Sequence, residues 1–288
     1  SVGGLRFRMG REGTRQTGHC AINRIDEIHR KYTMLKELTK NEWLSLLSIP
    51  EDRIPTVLVL RGTRNLKVNY GKHSAFFTNI YEVGSPNGIF EDVMIGDYKD
   101  ISVGYASVYG DAMASEITHL FGVLGTSLVI QTGCCGALND SIQAGDIVCA
   151  TSAYCGEGAS QYYLPQKREV CASLDLVEQI MPSRVASVEI HKGPIWTTSA
   201  LLAEGKAEIQ NWAHQGYIAV DMETATTFSV AEYFGMQHLS LLFVFDNPSK
   251  GEHILLSDVE KQSRRENGEQ AVIDTTFAII ENYENGNR

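Results

Sequence analysis

From Thr56 to the end of the chain, short apolar runs alternate with segments of helical periodicity, and this alternation restricts the fold more than any other feature. Six runs rich in aliphatic and β-branched residues are typical of strands: 56–60, 101–108, 127–133, 146–153, 187–190 and 239–245. Four segments show helical spacing: 112–124, 203–214, 224–235 and 258–282. Strands that alternate with helices form a sheet covered on both faces. We therefore predict a three-layer α/β/α domain with a mixed central sheet over residues 51–288.

The residues before Pro50 carry a different pattern. Five apolar residues fall on one stripe of a helix that spans about residues 22–48: Ile25, Ile28, Tyr32, Leu35 and Leu38. Prolines at positions 50 and 55 interrupt the chain after this segment. We therefore predict that residues 1–50 form a helical N-terminal extension.

Composition excludes several classes of partner. The net charge of −10 disfavours binding to the backbone of a nucleic acid. No apolar run approaches the roughly 18 residues of a membrane span, and the first residues lack the apolar segment of a signal peptide. Six scattered cysteines show no metal-binding spacing and indicate buried thiols in a reducing compartment. We expect a cytoplasmic protein without a metal or other cofactor, since P-loop and dinucleotide motifs are also absent.

Two glycine-containing segments follow predicted strands, at the edge of an α/β sheet where ligands bind. Segment 109–117 has a glycine turn and then Ser115 at the predicted start of a helix, which suits an anion or a sugar hydroxyl. Segment 132–138 is predicted as a turn in which the backbone at Gly133 can approach a ligand closely. The alternatives are an ordinary helix cap and a simple tight turn.

Two acidic residues occupy the other strand ends. Glu223 lies between a strand and a helix, where a carboxylate can accept two hydrogen bonds from a sugar diol, and Met222 offers an apolar surface for the sugar. Asp246 follows a very apolar strand, so partial burial would raise its pKa and let it act as an acid. The alternatives are a helix-start acid for Glu223 and a turn-initiating residue for Asp246.

In this order and spacing, the four segments resemble the nucleoside phosphorylase superfamily. That group includes purine nucleoside phosphorylases, uridine phosphorylases, methylthioadenosine nucleosidases and AMP nucleosidases. The resemblance covers about residues 56–284, and 220–226 (VDMETAT) with 245–252 (FDNPSKGE) are its most specific parts. It implies the nucleoside phosphorylase fold and an enzyme that cleaves an N-glycosidic bond.

The resemblance also implies roles for individual residues. By position, Glu223 binds the ribose hydroxyls and Met222 packs on the ribose. Asp246 matches the acid that protonates or hydrogen-bonds N7 of a purine, and Ser115 matches a phosphate-binding hydroxyl. Family members form dimers that associate further, so a homodimer or dimer-based oligomer is expected. His19, His29 and His73 are candidates for a contact to the 5′ group of a nucleoside.

The chain departs from the family pattern where phosphate binds. Members that use phosphate carry an arginine just before the TGxxGAL-type segment, and here that position is Gln131. The arginine lent by a neighbouring subunit aligns near Ile89, and the early phosphate loop is represented at best by 60–67. A neutral amide binds a dianion less well than a bidentate guanidinium. Water is therefore favoured as the acceptor.

Two alternatives to hydrolysis remain. In the first, inorganic phosphate is the second ligand, and its site is rebuilt from Ser115, Arg61 and Arg64. In the second, the protein binds a nucleoside without cleaving it.

Base recognition departs from the family pattern as well. Leu201 occupies the position of the aromatic ring on which the base stacks, and Trp196, or Tyr162 and Tyr163, can replace that ring. These aromatics also suit a core or an interface. The positions that read uracil in uridine phosphorylases are about Gly205 and Ala207, which disfavours uracil. We therefore expect a purine-type nucleoside, bound by residues that include Gln131, Gly133, Tyr163, Trp196 and Leu201.

Overall fold

The computed structural model of the protein describes residues 34–86, 88–183, 187–256 and 259–286. The chain divides into two compact units, Ser1–Ile49 and Pro50–Arg288. Within the part of the chain that is described, no helix is long and apolar enough to cross a membrane.

The described part of the first unit contains a 3-10 turn, Leu35–Glu37, and one helix, α1 (Lys40–Leu47). A capping box starts α1, because the backbone N–H and the hydroxyl of Thr39 both donate to Glu42 Oε2, at 2.9 and 2.8 Å. Residues 34–39 are not α-helical, so the predicted helix over 22–48 does not run through them. Its earlier part, with His19 and His29, lies outside the described residues.

The described part of the second unit contains ten strands. They are β1 (Val57–Gly62), β2 (Thr78–Glu82), β3 (Val93–Tyr98), β4 (Ile101–Val108), β5 (Leu128–Ala137), β6 (Ile147–Gly156), β7 (Glu169–Cys171), β8 (Ile190–Thr198), β9 (Ala219–Asp221) and β10 (Gln237–Asp246). Its helices are α2 (Leu66–Ser74), α3 (Gly110–Leu124), α4 (Leu174–Glu178), α5 (Lys206–His214), α6 (Thr224–Phe234) and α7 (Val259–Gly286).

All ten strands belong to one mixed sheet, in the order β10-β6-β8-β9-β5-β1-β4-β3-β2, with β7 beside β6. β1 pairs in parallel with β4 and β5, whereas β9 runs antiparallel to β5 and β6 antiparallel to β10. β10 also pairs with β5, so β5, β10, β6, β8 and β9 close into a ring. The mixed sheet predicted from the sequence is confirmed. The ring was not predicted, because β9 is too short to give a strand pattern.

Helices cover both faces of the sheet, which confirms the three-layer α/β arrangement. On one face, Leu176 of α4 and Val272 of α7 share a core with residues of β1 and β10. On the other face, α6 is buried along Thr224–Ala231, and its Phe228 packs against strand residues of β6 and β10. α3 lies next to α6, with Gly122 leaving room for the Phe234 ring. The burial of apolar side chains on both faces stabilises this arrangement.

Two predicted strand boundaries were wrong. β5 continues past Gln131 and Gly133 to Ala137, because β10 pairs with it in parallel as far as Gly136. Gln131 and Gly133 therefore lie inside a strand and not at a strand end or in a turn. β8 starts only at Ile190, where the predicted strand 187–190 ends, and it contains Pro194 opposite an irregularity in β6.

Candidate active site

The two predicted acidic residues approach each other at one end of β5. Gly136 of β5 pairs with Asp246 on one side and with Val220 on the other, and Glu223 follows Val220 by three residues. Neighbouring strands lie about 4.8 Å apart, so the two carboxyl groups flank the same short stretch of β5.

Cys134 lies on β5 between the two acids and is exposed, and we call the open surface around these three residues the recess. The protein atoms around this recess still desolvate its thiol and raise the pKa to about 11. Arg61 opposes this increase, while the charges of Glu223 and Asp246 add to it. The thiol is therefore within electrostatic range of both acids, and the three side chains mark one site.

Glu223 is held between β1 and the start of α3. Its Oε1 accepts a hydrogen bond from the backbone N–H of Gly110 at 2.7 Å. Its Oε2 lies so close to Gly62 that a Cβ there would approach it to 2.8 Å. Burial, followed by the charge of Asp221, raises the pKa of Glu223 to about 8. Near pH 7 Glu223 is therefore mainly the neutral acid, although it faces the positive end of a helix.

Asp221 was not singled out in the sequence, yet it positions Glu223. Its carboxylate accepts hydrogen bonds from Thr197 Oγ1 at 2.6 Å, from Thr224 Oγ1 at 2.6 Å and from the Thr224 N–H at 2.8 Å. Asp221 thus satisfies the start of α6 and ties it to β8, a capping role that the sequence analysis considered for Glu223. The Asp-x-x-Thr spacing was the signal that could have identified it.

Asp246 ends β10 and is only 5 % exposed. Burial raises its pKa to about 6, an increase that Arg265 opposes and Glu252 reinforces. Arg265 is fixed because its Nε donates to the Phe245 carbonyl at 2.6 Å and its guanidinium lies 3.9 Å from the Phe245 ring centre. The carboxyl group can therefore carry a proton near neutrality, with a cation nearby to stabilise the carboxylate after the proton leaves.

The floor of the recess depends on close backbone contact between β5 and β1. Gly133 has φ +156°, and a Cβ on it would lie 2.9 Å from the Gly62 carbonyl oxygen. Because Gly62 in turn touches Glu223, the position of the carboxyl group depends on both glycines.

We expect Gly133→Ala to lower the free energy of unfolding by about 2–4 kcal/mol, through backbone strain and the clash with Gly62. Gly71→Ala is the control, since no atom lies within 4 Å of a Cβ at that position in α2. It should raise stability by about 0.5–1 kcal/mol because alanine favours a helix. Urea unfolding measures both changes. A Gly133→Ala protein as stable as the wild type would contradict the close contact.

The cations proposed for a rebuilt phosphate site lie apart from one another. Arg61 is 4 % exposed, points toward the α7 face, and donates from Nη2 to Glu269 Oε1 at 2.5 Å. Its Nε and Nη1 are buried and have no hydrogen-bond partner among the described residues. Arg64 is exposed and lies 4.8 Å from the centre of the Tyr109 ring, near the start of α3.

Gln131 and Ser115 are both engaged within the protein. Gln131 is fully buried, with Oε1 accepting from Thr227 Oγ1 at 2.9 Å and Nε2 donating to the Thr132 carbonyl at 2.9 Å. The prediction that Ser115 starts a helix was wrong, because α3 already begins at Gly110. Ser115 lies in its second turn and donates to the Ala112 carbonyl at 2.7 Å. The polar atoms of both side chains are thus engaged in hydrogen bonds within the protein.

Tyr163 lies away from the two acids, contrary to its prediction as a substrate-binding residue. Its hydroxyl is 3.0 Å from His119 Nδ1, and its ring packs edge-on against Tyr233. Tyr233 is at the far end of α6 from Glu223, about 15 Å along the helix axis at 1.5 Å per residue. Tyr163 therefore packs against the outer ends of α3 and α6.

Trp196 is part of an aromatic stack. Its ring is stacked 4.0 Å from Tyr154 and 5.0 Å from Trp212, and Tyr217 meets it edge-on at 5.4 Å. With both faces covered, the ring cannot stack on a base. The prediction of a binding role for Trp196 is therefore corrected to one of packing between β8 and α5.

Leu201 and Met222 are the predicted ligand contacts that remain available. Leu201 opens a 3-10 turn, Leu201–Ala203, and is half-buried. Met222 is also half-buried and lies directly beside Glu223. Glu204, which follows the 3-10 turn, was missed in the sequence, although the charge of Asp246 acts on it. Among the described residues, no group of His, Cys, Asp and Glu is placed to hold a metal ion.

The chain is similar to known proteins over more than half of its length. The family model described as Phosphorylase superfamily matches residues 78–280. A guanosine phosphorylase of Halorubrum lacusprofundi is 28 % identical over 186 residues, which cover 64 % of this chain and 77 % of the relative. A DeoD-type purine nucleoside phosphorylase of Colwellia psychrerythraea is 26 % identical over 161 residues, covering 54 % of this chain and 69 % of that protein.

The fold is also that of a solved structure. Uridine phosphorylase from Vibrio fischeri superposes with a TM-score of 0.67 at 20 % identity, covering 81 % of this chain and 95 % of that one. The nucleoside phosphorylase fold predicted from the sequence is thereby confirmed. Since the family model spans most of the chain and includes both acidic residues, the chain belongs to the Phosphorylase superfamily.

Proposed function

We propose that the chain cleaves the N-glycosidic bond of a purine-type nucleoside, with water as the acceptor. The observation that carries this proposal is the approach of Glu223 and Asp246 from opposite sides of β5. Glycosidic cleavage develops positive charge on the sugar and negative charge on the departing base. A site that holds one acid for each partner can stabilise both.

Asp246 is the proposed acid. In this role it donates its proton to N7 of the purine as the bond to the sugar breaks, so that the base leaves without its negative charge. A pKa raised to about 6 keeps a useful fraction of the group protonated near neutrality. Arg265, which lowers this pKa, also stabilises the carboxylate that remains after the transfer.

Glu223 is the proposed sugar ligand. Two ribose hydroxyls that donate to its carboxyl group favour the ionised form, as does the Gly110 N–H that already donates to it. Sugar binding should therefore lower the pKa from about 8 and leave a carboxylate beside the developing oxocarbenium ion. Met222 offers its half-buried side chain to the sugar face.

The surroundings of the phosphate position support water as acceptor. Gln131 stands in place of an arginine, its amide nitrogen and oxygen each make a hydrogen bond within the protein, and Ser115 donates within its own helix. A dianion at this position would meet few free donors, whereas a water molecule needs no cationic site.

Phosphorolysis is the second candidate, and one observation favours it. Arg61 keeps two buried nitrogens without a partner among the described residues, and its charge acts on Cys134 in the recess. The relatives from Halorubrum and Colwellia are also named as phosphorylases.

Omitting phosphate separates the two candidates. With adenosine, inosine and guanosine as substrates, we expect the rate of base release to be the same with and without phosphate, and the sugar product to be free ribose. Chromatography of both products measures this. A rate that requires phosphate, together with a sugar 1-phosphate product, would establish phosphorolysis. In that case phosphate should no longer increase the rate of base release in Arg61→Met. In Lys36→Met, which replaces an exposed lysine, phosphate should still increase it.

A further inference from the structure

A second carboxyl group lies next to Asp246. Glu204 follows the 3-10 turn Leu201–Ala203 and precedes Gly205, the residue that caps α5. Asp246 is followed by another 3-10 turn, Pro248–Lys250, which contacts α5. The fold thus brings two carboxyl groups, 42 positions apart in the sequence, to one side of the recess.

Glu204 lacks the contacts that a purely structural acid would make. Its Oε1 is buried, and none of the described residues hydrogen-bonds to it. It lies near the start of α5, but Gly205 caps that helix without a side-chain hydrogen bond. A buried carboxyl oxygen is normally paired in a folded protein, and the missing partner points to a ligand that supplies it.

The chemistry of purines indicates what this ligand group would be. N7 and the substituent at C6 lie on the same edge of the base, so a group that contacts N7 has the C6 substituent beside it. Adenine presents an amino donor at C6, whereas guanine and hypoxanthine present an oxo acceptor. An ionised carboxylate only accepts hydrogen bonds, while the protonated acid can also donate one.

We propose that Glu204 determines which purine the site accepts, by hydrogen bonding to the C6 substituent while Asp246 contacts N7. This inference rests on the proposed function, since it assigns Asp246 to the base. According to this inference, the residue that selects the base lies in the turn before α5, which also contains Leu201. It is distinct from Glu223 and Asp246, the two acids proposed for the cleavage.

The protonation of Glu204 then selects the substrate. Burial raises its pKa to about 7, and the charge of Asp246 raises it further. Among the residues that the structure describes, Asp246 is the charged group that acts on it, and Arg265, Glu252 and Lys261 act on Asp246 in turn. Above pH 7 the carboxylate accepts from a 6-amino group, and below pH 7 the acid donates to a 6-oxo group. Preference should therefore shift from inosine to adenosine as the pH rises.

The test compares kcat/KM for adenosine and inosine, which differ in the C6 substituent and in the hydrogen that inosine carries on N1, from about pH 5.5 to about pH 8.5. In the wild type, we expect the ratio of adenosine to inosine to rise at least about tenfold over this range. In Glu204→Gln, the amide both donates and accepts, so the ratio should become independent of pH while both nucleosides are still cleaved. Melting temperatures of the two proteins show that the variant is folded.

Glu208→Gln is the matched control. Glu208 is an exposed carboxylate in the first turn of the same helix, and its exchange should leave the ratio and its pH dependence unchanged. The inference is overturned if Glu204→Gln cleaves both nucleosides with the wild-type ratio at every pH. A wild type that cleaves no purine nucleoside would instead overturn the proposed function, and this inference with it.

Discussion

Asp246→Asn is expected to lower kcat/KM for purine nucleosides by about 10²–10⁴-fold, the contribution of a general acid. The asparagine amide can still donate a hydrogen bond to N7 but has no proton to transfer, so most of the loss should fall on kcat. In the wild type, kcat at saturating substrate, where the bound sugar keeps Glu223 ionised, should decrease as the pH rises through about 6, where Asp246 loses its proton. Steady-state kinetics at several pH values measure both effects, and the variant should not show this decrease.

A substrate that needs no proton tests this assignment more directly. A nucleoside methylated at N7 already carries positive charge on the base, so its cleavage should be much less sensitive to Asp246→Asn. Asp175→Asn, which removes an exposed carboxylate of α4, serves as the control and should leave both substrates unaffected. Equal losses with the methylated and the ordinary substrate would show that Asp246 has another role.

Glu223→Gln should lower kcat/KM by about 10²–10³-fold, because two charge-assisted hydrogen bonds to the sugar, each worth about 1.5–3 kcal/mol, become neutral ones. With Glu116→Gln on the exposed surface of α3 as the control, little change is expected. The loss should be smaller for nucleosides that lack one of the two hydroxyls, since such substrates make one bond fewer. A Glu223→Gln enzyme with wild-type kinetics would exclude the proposed sugar contact.

The same variant should be more stable than the wild type at high pH. The pKa of Glu223 is raised from 4.5 to about 8 in the folded protein, so the wild type loses stability as the pH rises through this interval. Glutamine does not titrate and avoids this loss. The melting temperature of Glu223→Gln minus that of the wild type should therefore increase between about pH 4.5 and about pH 8. A difference that does not vary with pH would contradict the buried state of the carboxyl group.

The parts of the fold that the sequence predicts are those with long, regular patterns. Helices α3, α6 and α7 begin within two residues of their predicted starts, because their apolar periodicity extends over many turns. β2, β3, β7 and β9 were missed. Two of them, β7 and β9, have three residues, β2 is largely exposed, and β3 contains Gly96 and Asp97, which are residue types that are rare in strands. The pairing partners of such short strands supply the stabilisation that their own residues lack.

A residue of the candidate site was predictable only where its neighbours in the sequence form a recognisable pattern. Glu223 and Asp246 follow apolar strands, and such positions are visible in a sequence. Tyr163 and Trp196 illustrate the limit, because an aromatic residue suits a stack and a binding site equally well until its neighbours are known. Glu204 shows the opposite case. Acidic residues before helices are common, so the sequence does not distinguish Glu204 from other such residues. Its proximity to Asp246 at the end of β10 is visible only in the structure.

The closed ring of five strands has a consequence for biosynthesis. β5 cannot complete its pairing until β10, more than 100 residues later, has been synthesised. A nascent or truncated chain that stops before β10 would display the unpaired edges of β5 and β6, which are templates for aggregation. Chaperone demand should therefore peak late in translation, and the recess becomes complete only when the last strand enters.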